Sequence, residues 1–145
     1  MKVADIMSKN VTLIQLETPL KEAAEKMKAE DIGSIPVTDG EKIKGMLTDR
    51  DIVTRAIAVG KDVSSTAAKD VMTEKICYVF DDEEIDRAAE AMKDNQIRRL
   101  VVLDRNKRLV GMISLGDLAS HGDNENLSAG VVKCVSETSA EHAVH

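Results

Sequence analysis

Aromatic side chains are nearly missing from this chain of 145 residues, which has one Tyr, one Phe and no Trp. Apolar residues still make up 43% of it, so Ile, Val, Leu, Ala and Met must fill the interior. No stacking platform for single-stranded nucleic acid can be built, and a net charge of −6 repels a phosphate backbone. Nucleic-acid binding is not expected on either count. Cysteine is scarce too: Cys77 and Cys134 are too few and too far apart for a disulfide framework or a zinc cluster. Free thiols in a reducing compartment are expected, with Cys77 a small buried hydrophobe and a redox role its alternative. No run nears the roughly 18 apolar residues of a membrane span. The opening Met1-Lys2-Val3-Ala4-Asp5 lacks the apolar region of a signal peptide, so a cytoplasmic location is expected. Missing as well are G-x-S-x-G, H-E-x-x-H, the phosphate loop G-x-x-x-x-G-K-[ST] and C-x-x-C, and no nucleophile and base stand out. No catalytic residue is assigned.

What is present is a duplication. At one constant offset Asp5 matches Asp70, Met7 matches Met72, Ala23 and Ala24 match Ala88 and Ala89, Met27 matches Met92, and Ile32 matches Ile97. Val37 and Asp39 match Val102 and Asp104, and from Gly45 and Gly111 onward the offset slips by one residue. The slip falls in a hairpin, where insertions are tolerated. The chain therefore divides into a repeat over residues 1–60, a small polar linker over 61–67, a second repeat over 68–121 and a tail over 122–145. Its length suits one compact domain or two small halves sharing a core.

Each repeat predicts the same order of elements. In the first, Val11–Ile14 reads as a strand, and Thr18 caps a helix with Pro19 at its first position and Leu20, Ala23, Ala24 and Met27 on one face. Asp39-Gly40 turns a hairpin between Ile35–Val37 and Ile43–Leu47, and a second helix runs from Asp49 to Ile57. In the second, Ile76–Val79 is the strand and Asp81 the cap, with Glu84 three positions on and Ile85, Ala88, Ala89 and Met92 as the helix face. Beyond His121 a loop, a short element within Leu127–Val135 and a frayed polar end are expected.

The most informative pair of motifs is Gly45-Met46-Leu47-Thr48-Asp49-Arg50-Asp51 and Gly111-Met112-Ile113-Ser114-Leu115-Gly116-Asp117. Each places a hydroxyl at the end of a strand and an acid three residues later, the spacing of a capping box. Helix capping is the plain reading of one copy. Two copies raise the alternative that each strand-to-helix corner receives an anion at free amides, with a carboxylate beside it for a sugar diol.

Together with the Asp-x-Met openings at Asp5 and Asp70, Ile32–Val37 (IGSIPV) and Ile97–Val102 (IRRLVV), these motifs resemble two cystathionine-β-synthase (CBS) domains forming a Bateman module. The likeness covers residues 1–121 and is nearest to small stand-alone proteins, hypoxic-response types among them. It implies an α/β (α+β) fold of two β-α-β-β-α repeats, packed sheet to sheet with pseudo-two-fold symmetry, and a homodimeric disc. It further implies clefts for an adenine nucleotide: AMP, ADP or ATP first, NAD or S-adenosylmethionine second, with no cofactor required. One cleft would join Thr48 and Asp51 to Cys77, Ile97, Arg98 and Arg99; the other would join Ser114 and Asp117 to Thr12, Ile32, Gly33, Ser34 and Pro36. In each, the aspartate would hold ribose and the hydroxyl would lie near ribose or phosphate.

The arginines favour the first cleft through a bidentate phosphate clamp, although pairing with Asp94 or Asp104 is an equal alternative. Val101 in place of Pro36, and Leu115-Gly116 in place of Asp49-Arg50, weaken the expectation for the second. The leading function is a non-enzymatic regulatory module that binds an adenosine compound and acts on an unidentified protein. The competing one is a dimerisation or partner-docking protein with empty clefts, suggested by the helix faces at Met27 and Met92. No metal site is assigned; His121, Cys134, His142 and His145 follow no usual zinc spacing.

Overall fold

The computed structural model describes residues 1–121; the expected element in Leu127–Val135, together with Cys134, His142 and His145, lies outside them. In chain order the elements are α1 (Val3–Ile6), β1 (Ile14–Gln15), α2 (Leu20–Glu30), β2 (Ser34–Asp39), β3 (Lys42–Thr48) and α3 (Asp49–Ile52). They continue as β4 (Tyr78–Phe80), α4 (Ile85–Asn95), β5 (Arg99–Leu103), β6 (Leu109–Ser114) and α5 (Leu115–His121). A turn of π-helix over Val53–Ile57 prolongs α3, and a 3-10 turn over Ala68–Asp70 precedes β4. The fold is mixed α/β with two three-stranded sheets, ordered β1-β2-β3 and β4-β5-β6. In each sheet the first strand pairs parallel and the third antiparallel to the middle one.

Two compact units form, and they do not follow the linear repeats. Thr12–Ile76 makes one; among the described residues, Met1–Val11 joins residues 77–121 to make the other. The stretch that opens each repeat is thus built into the unit that holds the other repeat's sheet. Val3 and Ile6 enter the core of Val79, Ala88, Met92 and Leu100, whereas Ala68 and Val71 enter that of Leu20, Met27, Ile35 and Leu47. Backbone bonds fix both. The N–H of Met46 donates to Thr73 O (2.9 Å) and that of Thr73 to Met46 O (2.8 Å); Met112 and Ser8 exchange the matching pair at 2.9 and 2.8 Å.

This arrangement explains why the helices start later than their sequences predict. Pro19, not Thr18, holds the cap position of α2, and Glu84, not Asp81, that of α4; neither uses a side-chain cap. The Thr18 hydroxyl instead accepts from Gln15 N–H at 3.0 Å. The first free N–H groups find backbone carbonyls: Leu20 and Lys21 donate to Thr66 O and Val63 O, and Ile85 donates to Met1 O, each at 3.0 Å. Both helices end at a left-handed residue, Asp31 (φ 54°) and Gln96 (φ 55°).

The first strands also shift, because pairing and not apolar content sets their bounds. Pro36 has no N–H, and β1 pairs with β2 only at Val37 and Thr38. Val101 at the matching place pairs with Tyr78, so β4 has three paired residues. Tyr78 and Phe80 meet edge to face at 5.5 Å, and the Arg105 guanidinium lies 4.1 Å above the Phe80 ring. Hydrogen bonds from that guanidinium hold the Asp82 carboxyl below the usual carboxylate range.

Candidate functional site

Each sheet ends at a strand-to-helix corner, and both corners form complete capping boxes. In the first unit, Asp51 N–H donates to Thr48 Oγ1 at 3.0 Å and Thr48 N–H returns a bond to Asp51 Oδ2 at 3.1 Å. In the other, Asp117 N–H donates to Ser114 Oγ at 3.1 Å and Ser114 N–H to Asp117 Oδ2 at 2.8 Å. The plain reading of T-x-x-D and S-x-x-D therefore holds in full.

Asp51 does more than cap. It is buried, at 6% exposure, and the Thr73 hydroxyl reaches its Oδ2 and Oδ1 at 3.2 and 3.3 Å. Arg55 Nε stands 3.7 Å from Asp51 Oδ1, while its Nη1 donates to Val71 O and Met72 O at 3.3 and 3.2 Å. One carboxylate thus ties α3 to the segment that leads out of the unit. The sequence reading missed both partners. A signal existed for Thr73, since the hydroxyl after Asp-x-Met recurs as Ser8.

Arg98 and Arg99, expected to complete the cleft of Thr48 and Asp51, lie within their own unit beside the other corner, that of Ser114 and Asp117. Leu115 N–H donates to Arg98 O at 2.8 Å and Arg99 pairs with Ser114 across the sheet, so the ends of β5 and β6 hold both arginines next to the start of α5. Arg98, Arg99, Ser114, Leu115 and Gly116 line an open pocket of about 440 Å³. Among the described residues neither arginine has an acidic partner. Asp104, one candidate partner, is occupied in its turn, where Oδ1 accepts from Asn106 and Arg108 N–H at 2.9 Å each. Two arginines that line one pocket and have no acidic partner among the described residues make it suited to an anion.

The corner in the Thr12–Ile76 unit repeats the backbone plan with other side chains. Asp49 N–H donates to Gly33 O at 2.9 Å and Ser34 pairs with Thr48. The Asp49 carboxylate lies over Gly33: a Cβ there would stand 3.1 Å from its Oδ2. Of the other candidates, Thr12 donates its hydroxyl to Glu30, Ile32 packs on the core of its own unit, and Pro36 is buried within β2. Cys77 is a half-buried free thiol packed with Ile97 against the core of the other unit. Among the described residues no group of three or more His, Cys, Asp or Glu is placed to hold a metal, and no helix is long and apolar enough to cross a membrane.

Comparison with known proteins fits this architecture. The CBS domain family model matches residues 3–57 and again 68–123. The CBS domain-containing protein YhcV of Bacillus subtilis (strain 168) is 39% identical over 128 residues, 88% of this chain and 89% of its own length. The crystal structure of Hypoxic Response Protein I with two coordinated zinc ions superposes with a TM-score of 0.75 at 34% identity, covering 83% of this chain and 98% of that one. The CBS domain pair of protein MJ0100, in complex with 5′-methylthioadenosine and S-adenosyl-L-methionine, superposes with a TM-score of 0.70 at 27% identity, over 83% and 98% of the two chains. With two family matches that span most of its length, this chain belongs to the CBS domain family and carries two such domains in tandem.

Proposed function

We propose that the chain is a non-enzymatic regulatory module, working as a homodimer, that binds a phosphorylated adenosine and passes its occupancy to a partner protein. AMP, ADP and ATP are the ligands put forward. The observation that carries this reading is the pocket in which Arg98 and Arg99, without acidic partners among the described residues, stand beside the Ser114 hydroxyl. Phosphate is an anion that planar guanidinium groups bind in bidentate fashion, and a hydroxyl beside it adds a further donor. Adenosine as the rest of the ligand is supported by the bound compounds of the MJ0100 pair. Aliphatic walls can take adenine in a chain with so few aromatics.

A second reading loses the support expected from Met27 and Met92, which are buried in the cores of their own units, but has other support. Val53, Ile57 and Val59 are 54, 58 and 63% exposed, an apolar group that suits a dimerisation or docking protein with no ligand. Isothermal titration with AMP, ATP and S-adenosylmethionine separates the two. Binding of a phosphorylated adenosine that weakens about tenfold on replacing either Arg98 or Arg99 by Ala is the expected result, since a charge-assisted hydrogen bond is worth about 1.5–3 kcal/mol. No heat and no shift in melting temperature across that panel, with a stable dimer by light scattering, would favour the second.

A further inference from the structure

The two corners share one backbone plan and differ in charge. Because Leu115 N–H meets Arg98 O as Asp49 N–H meets Gly33 O, Arg98 stands where Gly33 does, Arg99 where Ser34 does, Leu115 where Asp49 does and Gly116 where Arg50 does. Four positions therefore carry two cations and no anion in one unit. In the other they carry one acid and one base. The residues that end α2 and α4 add to the contrast, for Asp31 is acidic where Gln96 is neutral. On a chain of net charge −6 the Arg98/Arg99 pocket is a local exception, and the Gly33/Asp49 corner is not.

We propose that Asp49 determines which corner accepts phosphate: its carboxylate, seated over Gly33, closes the first-repeat corner to phosphoryl groups, so the chain takes phosphate, free or esterified, only between Arg98, Arg99 and Ser114. This rests on the reading of that pocket as a phosphate site. The carboxylate acts by charge, because a phosphate near Gly33 would face it directly with no arginine at position 33 or 34. It also acts by volume. Whatever approaches Gly33 meets Asp49 Oδ2 where a Cβ would, at 3.1 Å. The neutral Leu115 and the bare Gly116 leave the matching space beside Arg98 open.

The test uses the full chain and inorganic pyrophosphate, which probes the charge assignment without adenosine. Backbone amide shifts are followed during titration at Arg98, Arg99, Leu115 and Gly116, and at Gly33, Ser34, Asp49 and Arg50. Shifts confined to the first group are expected, and they should vanish in Arg98→Ala/Arg99→Ala. Gly33→Arg/Asp49→Leu transplants the charges of one corner onto the other, and the Leu removes the carboxylate that a side chain at position 33 would meet. It should gain a second set of shifts and bind there at least about tenfold more tightly than the parent. Asp49→Asn keeps the size, removes the charge and should show a smaller gain, which covers a double variant that fails to fold. Equal shifts at both corners of the unaltered chain, shifts at neither, or a first-repeat corner unmoved in every Asp49 variant would overturn the proposal. AMP run in parallel separates the two readings: selective pyrophosphate binding without AMP binding keeps the role of Asp49 and removes the nucleotide.

Discussion

Asp51 shows how one side chain can serve a fold and mask a function. Its carboxylate receives Thr48 N–H and the Thr73 hydroxyl and faces Arg55, all within one unit. Asp51→Ala should therefore lower stability by about 2 kcal/mol with no ligand present, since a capping-box half is lost and buried donors are left unpaired. Thr73→Val, which keeps shape and removes one donor, should cost about 1 kcal/mol. Urea unfolding of both variants checks this, and an Asp51→Ala protein as stable as the parent would refute it. Loss of ligand binding in Asp51→Ala is consequently a poor proof of ribose contact, and the arginines are the cleaner probe. The capping boxes were legible in the sequence because all their atoms lie within four residues. Thr73 and Asp51 are 22 residues apart, and only the path of the chain through the unit brings them together.

At the level of elements, the repeat was legible and its pairing was not. Periodicity marked α2 and α4: Leu20, Ala23 and Met27 and Ala88, Ala89 and Met92 are buried, whereas Ala24, expected on the same face, is exposed and Ile85 is half-buried. It could not mark where β1 and β4 begin, which depends on a partner strand and on the missing N–H of Pro36. Nor could it explain the glycine that opens each corner motif. A Cβ at Gly45 would stand 2.7 Å from Thr73 O and 2.9 Å from Met72 Sδ, and one at Gly111 would stand 2.7 Å from both Ser8 O and Met7 Sδ. These glycines let the Asp-x-Met segment lie against the third strand of the sheet, so the opening motif and the corner motif, distant in sequence, are two sides of one contact. Gly45→Ala should destabilise by about 1–3 kcal/mol, because the nearest atom is backbone and the strand or the segment must shift. Thermal unfolding checks it; the ordinary gain from Gly to Ala would signal that the contact gives way freely.

For the whole molecule, the exchange of opening segments means that a linear repeat is not a folding unit. A fragment of residues 1–60 keeps α2 but loses the Thr66 and Val63 carbonyls that accept from its first turn, and it loses both Met46–Thr73 bonds. It also lacks Ala68 and Val71, which are 0 and 2% exposed in the core around Leu20 and Leu47. What it carries instead is Val3 and Ile6, whose seat is formed by Val79, Ala88 and Leu100 of the later sequence. A fragment of residues 12–76 keeps every one of these contacts and discards the segment with no seat. At this size the core has little stability to spare, so two missing core residues and two unsatisfied helix amides decide whether the fragment folds. Residues 12–76 should give a dispersed amide spectrum and a cooperative melt, and residues 1–60 a collapsed spectrum with no transition. Equal melting of the two fragments would mean that the segment over 61–76 is only a tether, and that Gly45 and Thr73 keep their contacts for some reason other than stability.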